Sequence, residues 1–156
     1  MEAEVIHISG GSELLGLVRP LWEKLNQHHA THSPHFAAEY ARKTFTGRKQ
    51  ALLEKSQSGK LHVELVKDDS GRVIGYCISS IDAQGVGEID SLYLLPAWRG
   101  RALADCLLMR SLQWLEEQGV SRTRLSVAAG NERVFSFYAK HGFYPAKTIL
   151  EQHSRD

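Results

Sequence analysis

The chain has 156 residues, with 18 acidic and 19 basic side chains and a formal net charge of +1. So even a balance gives no handle for a polyanion, and neither a nucleic-acid partner nor a strongly acidic substrate is expected. No apolar run approaches the roughly 20 residues of a membrane-spanning helix, no repeat or linker interrupts the pattern, and the length suits one domain over residues 1–156.

Taken in order, the opening MEAEVIHIS lacks a basic segment followed by an apolar core, so no secretion signal is expected. Val5 to Ile8 alternates apolar with polar as a first strand does, and Gly10-Gly11 ends it. Ser12 is placed to cap a helix carrying Leu14, Leu15, Leu17, Val18, Leu21, Trp22 and Leu25, which Pro20 bends or delays. A second helical region runs from about Phe36 to Lys55, with a break expected near Thr46-Gly47. Leu61 to Val66 reads as a strand, Asp68-Asp69-Ser70-Gly71 as a hairpin turn, and Val73 to Ile81 as the returning strand. Cys77 and Cys106 lie in apolar runs without metal spacing; buried reduced thiols in a cytoplasmic protein are the expectation.

Glu88 to Leu95 is a further strand, stopped by Pro96. From Ala102 the apolar period changes to about 3.6: Ala104, Leu107, Leu108, Leu112 and Leu115 share one face, Asp105, Gln113, Glu116 and Glu117 the other. Gly119 closes this helix. A short strand near Leu125 to Ala128, a helix from Asn131 to His141 and closing strands from Phe143 onward complete the pattern.

The turn Arg99-Gly100-Arg101-Ala102-Leu103-Ala104 is where chemistry enters. A helix N-terminus leaves backbone N–H groups unpaired and its dipole favours negative charge; small residues let a phosphate approach, and two arginines add charge. A pyrophosphate site is the physical expectation.

This stretch resembles the coenzyme A signature of the GCN5-related N-acetyltransferases (GNAT), Q/R-x-x-G-x-G/A, with Arg99 first, Ala102 where glycine is usual and Ala104 last. Ile89 to Leu94 with Pro96 resembles the family's fourth strand. Gly130-Asn131-Glu132-Arg133-Val134-Phe135-Ser136-Phe137-Tyr138-Ala139-Lys140-His141-Gly142-Phe143 resembles its G-N-x-x-A-x-x-F-Y-x-K-x-G-F segment. The resemblance implies a single-domain mixed α/β fold, a mostly antiparallel central sheet with helices on both faces. It also implies acetyl-coenzyme A as cosubstrate, a small-molecule or peptide amine as acceptor, and leaves a homodimer open. Leu92, Tyr93 and Leu94 would hold the pantetheine arm; Arg99, Gly100, Arg101, Ala102, Leu103 and Ala104 would hold the diphosphate.

Acetyl transfer needs a base for the amine, a donor for the oxyanion and a proton for the leaving thiolate. Glu88 precedes Arg99 by eleven residues, the offset at which several family members carry a base carboxylate. Strand alternation puts Glu88, Asp90, Leu92 and Leu94 on one face, so Glu88 and Asp90 would line the acceptor side together, Glu88 acting directly or through water. The alternative is an ordinary solvent-facing strand end. Tyr138 matches the family's F-Y pair; a phenol, neutral at working pH, can protonate a thiolate, whereas the same ring could simply pack in the core. Asn131 is expected to cap the helix after it, and the resemblance adds a contact with the coenzyme. No cysteine stands in a motif position to carry an acyl group, which favours direct attack in a ternary complex.

His28, His29, His32 and His35 cluster within eight residues, and His28 and His32 share a helix face, yet no cysteine or carboxylate completes a metal set nearby; no metal is expected. Because the family's acceptor pocket is often bordered by its first two helices, His32, Phe36 and Tyr40 are candidates for substrate contact beside Asp90. Ala102 adds a methyl near the diphosphate while favouring the helix, and Asp105 adds a like charge one turn in. Those departures suit a rival reading, a non-catalytic acyl-coenzyme A sensor. A dinucleotide enzyme is disfavoured by the missing G-x-G-x-x-G and βαβ repeats.

Overall fold

The structure is a computed structural model and describes residues 4–153. The chain divides into two compact units: one runs up to Leu25 and resumes over Thr44–Ser126, the other holds Asn26–Lys43 and the chain from Val127 on.

The first unit is built on a five-stranded sheet in sequence order: β1 (Val5–Gly10), β2 (Lys60–Asp68), β3 (Val73–Ile81), β4 (Gly87–Leu94) and β5 (Thr123–Leu125). The first three pairings are antiparallel and only β4 with β5 is parallel. Turn chemistry sets the β2–β3 register: Asp68 Oδ1 accepts from the amides of Ser70 and Arg72. The strand pattern of β3 was legible to the residue.

Helix α1 (Arg19–His32) is preceded by a 3-10 turn over Ser12–Val18, helix α2 spans Ala37–Arg42, α3 spans Phe45–Ser56 and α4 spans Leu103–Glu117. Pro20 therefore sits in the first turn of α1, where its missing N–H costs nothing, and the chain before it winds more tightly. Ser12 does not cap; the Glu13 carboxylate instead accepts the Gly11 amide. The break in the second helical region falls at Lys43–Thr44, upstream of Thr46-Gly47, because the Thr44 hydroxyl accepts the Gly47 amide and starts α3.

Helix α4 lies on one face of the sheet. A Cβ on Gly75 would come within 2.8 Å of the Leu94 side chain and 3.2 Å of Leu107, so only glycine permits this approach. Buried Leu107, Leu108 and Leu115 carry the contact. The other face packs Leu15, Val18, Phe45 and Leu52 against Val63, Leu65, Tyr76 and Ile78, with Trp22 edge-on to Phe45 at 5.7 Å between centroids. The expected mixed, mostly antiparallel sheet with helices on both faces is what the first unit contains. Cys77 and Cys106 are free, the former buried.

In the second unit a 3-10 turn over Glu132–Val134 leads into α5 (Phe135–Ala139), shorter than the expected helix to His141. From Phe143 to His153 no strand forms, against the expectation of closing strands. Tyr144, Ile149 and Leu150 are exposed there, so the alternation of apolar residues has no face to bury against. Among the described residues no helix is long and apolar enough to cross a membrane.

Candidate active site

Strand β4 carries a bulge. Ile78 pairs with Ser91 and Ser79 with Ile89, which leaves Asp90 without a cross-strand partner. The extra residue reverses the alternation, a correction to the expected face. Glu88 lies on the side of Ser91 and Tyr93, while Leu92 and Leu94 point to the α4 side with Ile89. Glu88 and Asp90 nevertheless meet, because one lysine of α3 reaches both: Lys55 Nζ lies 3.2 Å from Glu88 Oε1 and 2.9 Å from Asp90 Oδ1. Arg124 of β5 adds a contact of 3.3 Å to Glu88 Oε1. Asp90 is buried, with 1% of its side chain exposed, and its Oδ2 has no hydrogen-bond partner among the described residues. Burial pushes its carboxyl above the ordinary range, outweighing the pull of the Ser80 hydroxyl and the Lys55 ammonium.

β5 pairs only with Gly87–Ile89, so from Asp90 to Leu94 strand β4 has no strand neighbour on that side among the described residues. The pairing with β5 thus stops short of Leu92, Tyr93 and Leu94, the residues expected to meet a pantetheine arm. Past Leu94 the chain makes a 3-10 turn, Pro96–Trp98, and enters the basic turn. Arg99 Nε donates to the Leu94 carbonyl at 3.0 Å and its guanidinium lies over Tyr93, 5.5 Å from the centroid; Arg101 lies 4.9 Å over Trp98. The strand end and the aromatic rings thus hold both cations.

Ala102 corrects a second expectation. It is not helical: it precedes α4 at φ 60, ψ 16, left-handed, following Gly100 at φ 84. A residue with a Cβ is strained there, which gives the family's usual glycine a backbone reason. The N-cap residue gives α4 no side-chain cap, so the amides of Leu103 and Ala104 stay available at its N-terminus among the described residues. A diphosphate fits that chemistry. Asp105 lies in the same first turn, half-buried.

In the second unit, Asn131 stands at the expected boundary but does not cap by its side chain. The Glu132 carboxylate takes the Gly130 amide, at 2.9 and 3.0 Å, and leaves Asn131 Oδ1 buried without a partner among the described residues. Gly130, at φ 98, is pressed so close to the His32 carbonyl that a Cβ would lie 2.1 Å from it. His32 and His28 do stack, 4.1 Å between centroids, with His32 Nδ1 at 2.8 Å from the His28 carbonyl. His29 is held down to about 4 by burial first, then by His28, Lys43 and His32. Tyr40 packs 5.4 Å from His29, and burial, with Glu151 adding, raises its phenol. Phe36 packs 5.6 Å from His153. Tyr138 sits edge-on to Phe137 and Phe143, at 5.1 and 6.1 Å. Among the described residues no group of three or more His, Cys, Asp or Glu side chains could hold a metal ion.

Lys55, Arg48 and Arg124 escaped the sequence reading. Their partners lie 33 to 42 positions away, for example Arg48 Nη2 donating to the Asp90 carbonyl at 3.3 Å and Arg124 Nε to Glu88 Oε1. The available signal was the seven-residue spacing of Arg48 and Lys55, two turns on one face of α3.

Residues 21–143 match the acetyltransferase (GNAT) family. The chain belongs to this family. An uncharacterised N-acetyltransferase of Mycobacterium tuberculosis is 36% identical over 73 residues, 47% of each chain. The chain spans about half the length of the curated relatives it matches. In three dimensions it is similar to the PaiA N-acetyltransferase of Thermoplasma acidophilum in complex with coenzyme A, with a TM-score of 0.71, 21% identity and coverage of 94% and 93% of the two chains. It is also similar to aminoglycoside N-acetyltransferase AAC(6')-Iy in complex with a bisubstrate analogue, CoA-S-monomethyl-acetylneamine, with a TM-score of 0.64, 17% identity and coverage of 99% and 100%. At these identities the likeness concerns the GNAT fold.

Proposed function

We propose that this chain, acting as one domain, transfers an acetyl group from acetyl-coenzyme A to a primary amine of a small molecule or peptide by direct attack. The observation that carries the reading is the N-terminus of α4, without a side-chain cap and flanked by Arg99 and Arg101, at the end of a strand whose β5 side has no strand neighbour past Ile89 among the described residues. Free amides and two guanidiniums suit a diphosphate, and the unpaired strand edge suits the amide-bearing pantetheine arm. The family match running through both units supports treating the chain as one domain.

When bound, acetyl-coenzyme A supplies the acyl group as a thioester. Leu92, Tyr93 and Leu94 align the arm with their backbone, and the turn from Arg99 to Ala104 anchors the phosphates. Glu88 takes a proton from the acceptor amine, directly or through water. Tyr138 returns a proton to the departing sulfur, on the strength of its motif position. Asn131, whose Oδ1 has no partner among the described residues, is the candidate for a further polar contact with the coenzyme. His32, Phe36, Tyr40 and Asp90 remain the candidates for acceptor contact.

Calorimetry with coenzyme A and thiol release from acetyl-coenzyme A over a panel of amines test this. Expected are binding that raises the melting temperature by mass action and turnover with at least one amine class. Absence of heat and of thermal shift at millimolar coenzyme would overturn the cofactor assignment; binding without turnover would favour the sensor.

A further inference from the structure

The charges around Glu88 and Asp90 bear on which amine is accepted, an inference that rests on the acetyl-transfer reading. A site that recognised its acceptor as an ammonium would keep carboxylates open for it. Here one oxygen of each is already held by a cation of the chain, and the other oxygen of Asp90 is buried. Lys55 lies within 3.2 Å of each, and Arg124 adds to Glu88, so two acids face two cations. Among the described residues Asp82 also feels Lys55 and Arg124; it is half-buried, and its Oδ1 already accepts the Gln84 and Val86 amides.

Arg48 is the unbalanced charge. It stands two turns before Lys55 on α3, half-buried, and its guanidinium is fixed against the β4 bulge by one bond, Nη2 to the Asp90 carbonyl at 3.3 Å. Among the described residues no carboxylate pairs with it. A guanidinium carries five donors in a planar fork that matches a carboxylate. Lys55, for its part, sits where a second positive group of a polyamine would be drawn, and a displaced Lys55 would leave Asp90 buried without its cation.

We propose that the acceptor is an amine that carries its own carboxylate, an amino-acid-like zwitterion, with Arg48 taking the carboxylate and Lys55 turning polycationic amines away. Arg48 is then a specificity residue, and the acceptor amine is left to approach Glu88, the proposed base.

The test is a matched series: amino acids, the corresponding amides, and diamines of the same carbon length. Thiol release and calorimetric binding to the coenzyme A-loaded protein are read for each. The amino acids should exceed amides and diamines by about tenfold or more in kcat/KM, expressed in KM, because a fork built for a carboxylate rejects what lacks one. Arg48→Gln should erase that advantage, and Lys55→Met should improve the diamines relative to the amino acids. Should Lys55→Met fail to fold, the double variant Lys55→Met with Asp90→Asn removes the orphaned charge and reads the same preference. Amides or diamines equal to the amino acids, or an advantage that survives Arg48→Gln, would overturn the proposal. If no amine releases thiol, the acetyl-transfer reading falls, and the binding arm still decides this one: amino-acid binding lost in Arg48→Gln supports it, and indifference to charge overturns it.

Discussion

Glu64 and Asp90 are both acids of the sheet with 3% or less of the side chain exposed, yet their surroundings differ. Glu64, on the α4 face, is saturated. His62 Nε2 meets one oxygen at 2.5 Å and Arg110 Nε the other at 2.7 Å, while His62 stacks on Trp114 at 4.6 Å. Burial raises its carboxyl, but the bonds from His62, Ser9 and Arg110 together outweigh burial and bring it down to about 2. Asp90, on the bulged strand, has one oxygen on Lys55 and the other on nothing among the described residues, and burial prevails. Burial alone decides neither case; the number of donors does. The saturated cluster is structural, and the unfinished one lies beside Glu88, the proposed base.

That contrast makes opposite predictions for two glutamates. Glu88→Gln should lower kcat by about a hundredfold, most severely at low pH where the acceptor amine is protonated, with partial recovery as pH rises. Glu64→Gln should leave kcat near wild type and lower the urea midpoint. Tyr138→Phe tests the proposed proton donor: turnover should fall by a similar factor at every pH while coenzyme binding stays nearly intact. A wild-type turnover for Glu88→Gln, or a collapse for Glu64→Gln, would invert the contrast.

The next effect is on stability. Arg110→Met should cost on the order of 2–3 kcal/mol, because it removes a charge-assisted bond and leaves Glu64 less satisfied in its burial. The pH dependence follows from the sign of each shift. Glu64 is depressed from 4.5 to about 2, so its contribution is complete above pH 4.5 and lost as pH falls toward 2. His29, depressed from 6.5 to about 4, acts at a higher window: the unfolded chain takes its proton first, so stability drops as pH falls from 6.5 through 4. Denaturation followed between pH 7 and 2 should show both windows. Glu64→Gln should flatten the lower and His29→Gln the upper; a profile unchanged by Glu64→Gln would mean its bonds do not persist in solution.

What the sequence could reveal follows from the range of the forces involved. Strand β3, the α4 stripe and the basic turn depend on period and local turn residues, and all three were legible. The meeting of Glu88 with Asp90 was legible as an outcome, but not its cause. Alternation alone would have put Leu92 and Leu94 beside them, and the bulge at Asp90 shows only when β3 is paired. Lys55 and Arg48 act across more than thirty residues, a distance no periodicity encodes. The closing strands failed for the opposite reason: an apolar pattern after Phe143 was present, but a strand needs an edge to pair with and a face to cover.

The smallest predicted effect tests where the structural side of the comparison stops along α4, whose Arg110 serves Glu64 and whose first residues serve the proposed phosphate site. Ala102, just before the helix, is the one described residue other than glycine at positive φ. A methyl there meets the following carbonyl, at a cost of about 1 kcal/mol that glycine does not bear, while glycine's freer unfolded chain returns part of it. Outside the helix interior, Ala102 gains nothing from alanine's helix preference. Ala102→Gly should therefore stabilise by a few tenths to about 1 kcal/mol in urea denaturation. The same change should strengthen coenzyme A binding, since removing the methyl opens the approach to the amides of the first turn. Arg110→Met, at the other end of this account, should weaken the fold and leave coenzyme binding alone. If Ala102→Gly destabilises, the left-handed turn is not the solution conformation, and alanine is holding a first helical turn that starts one residue earlier.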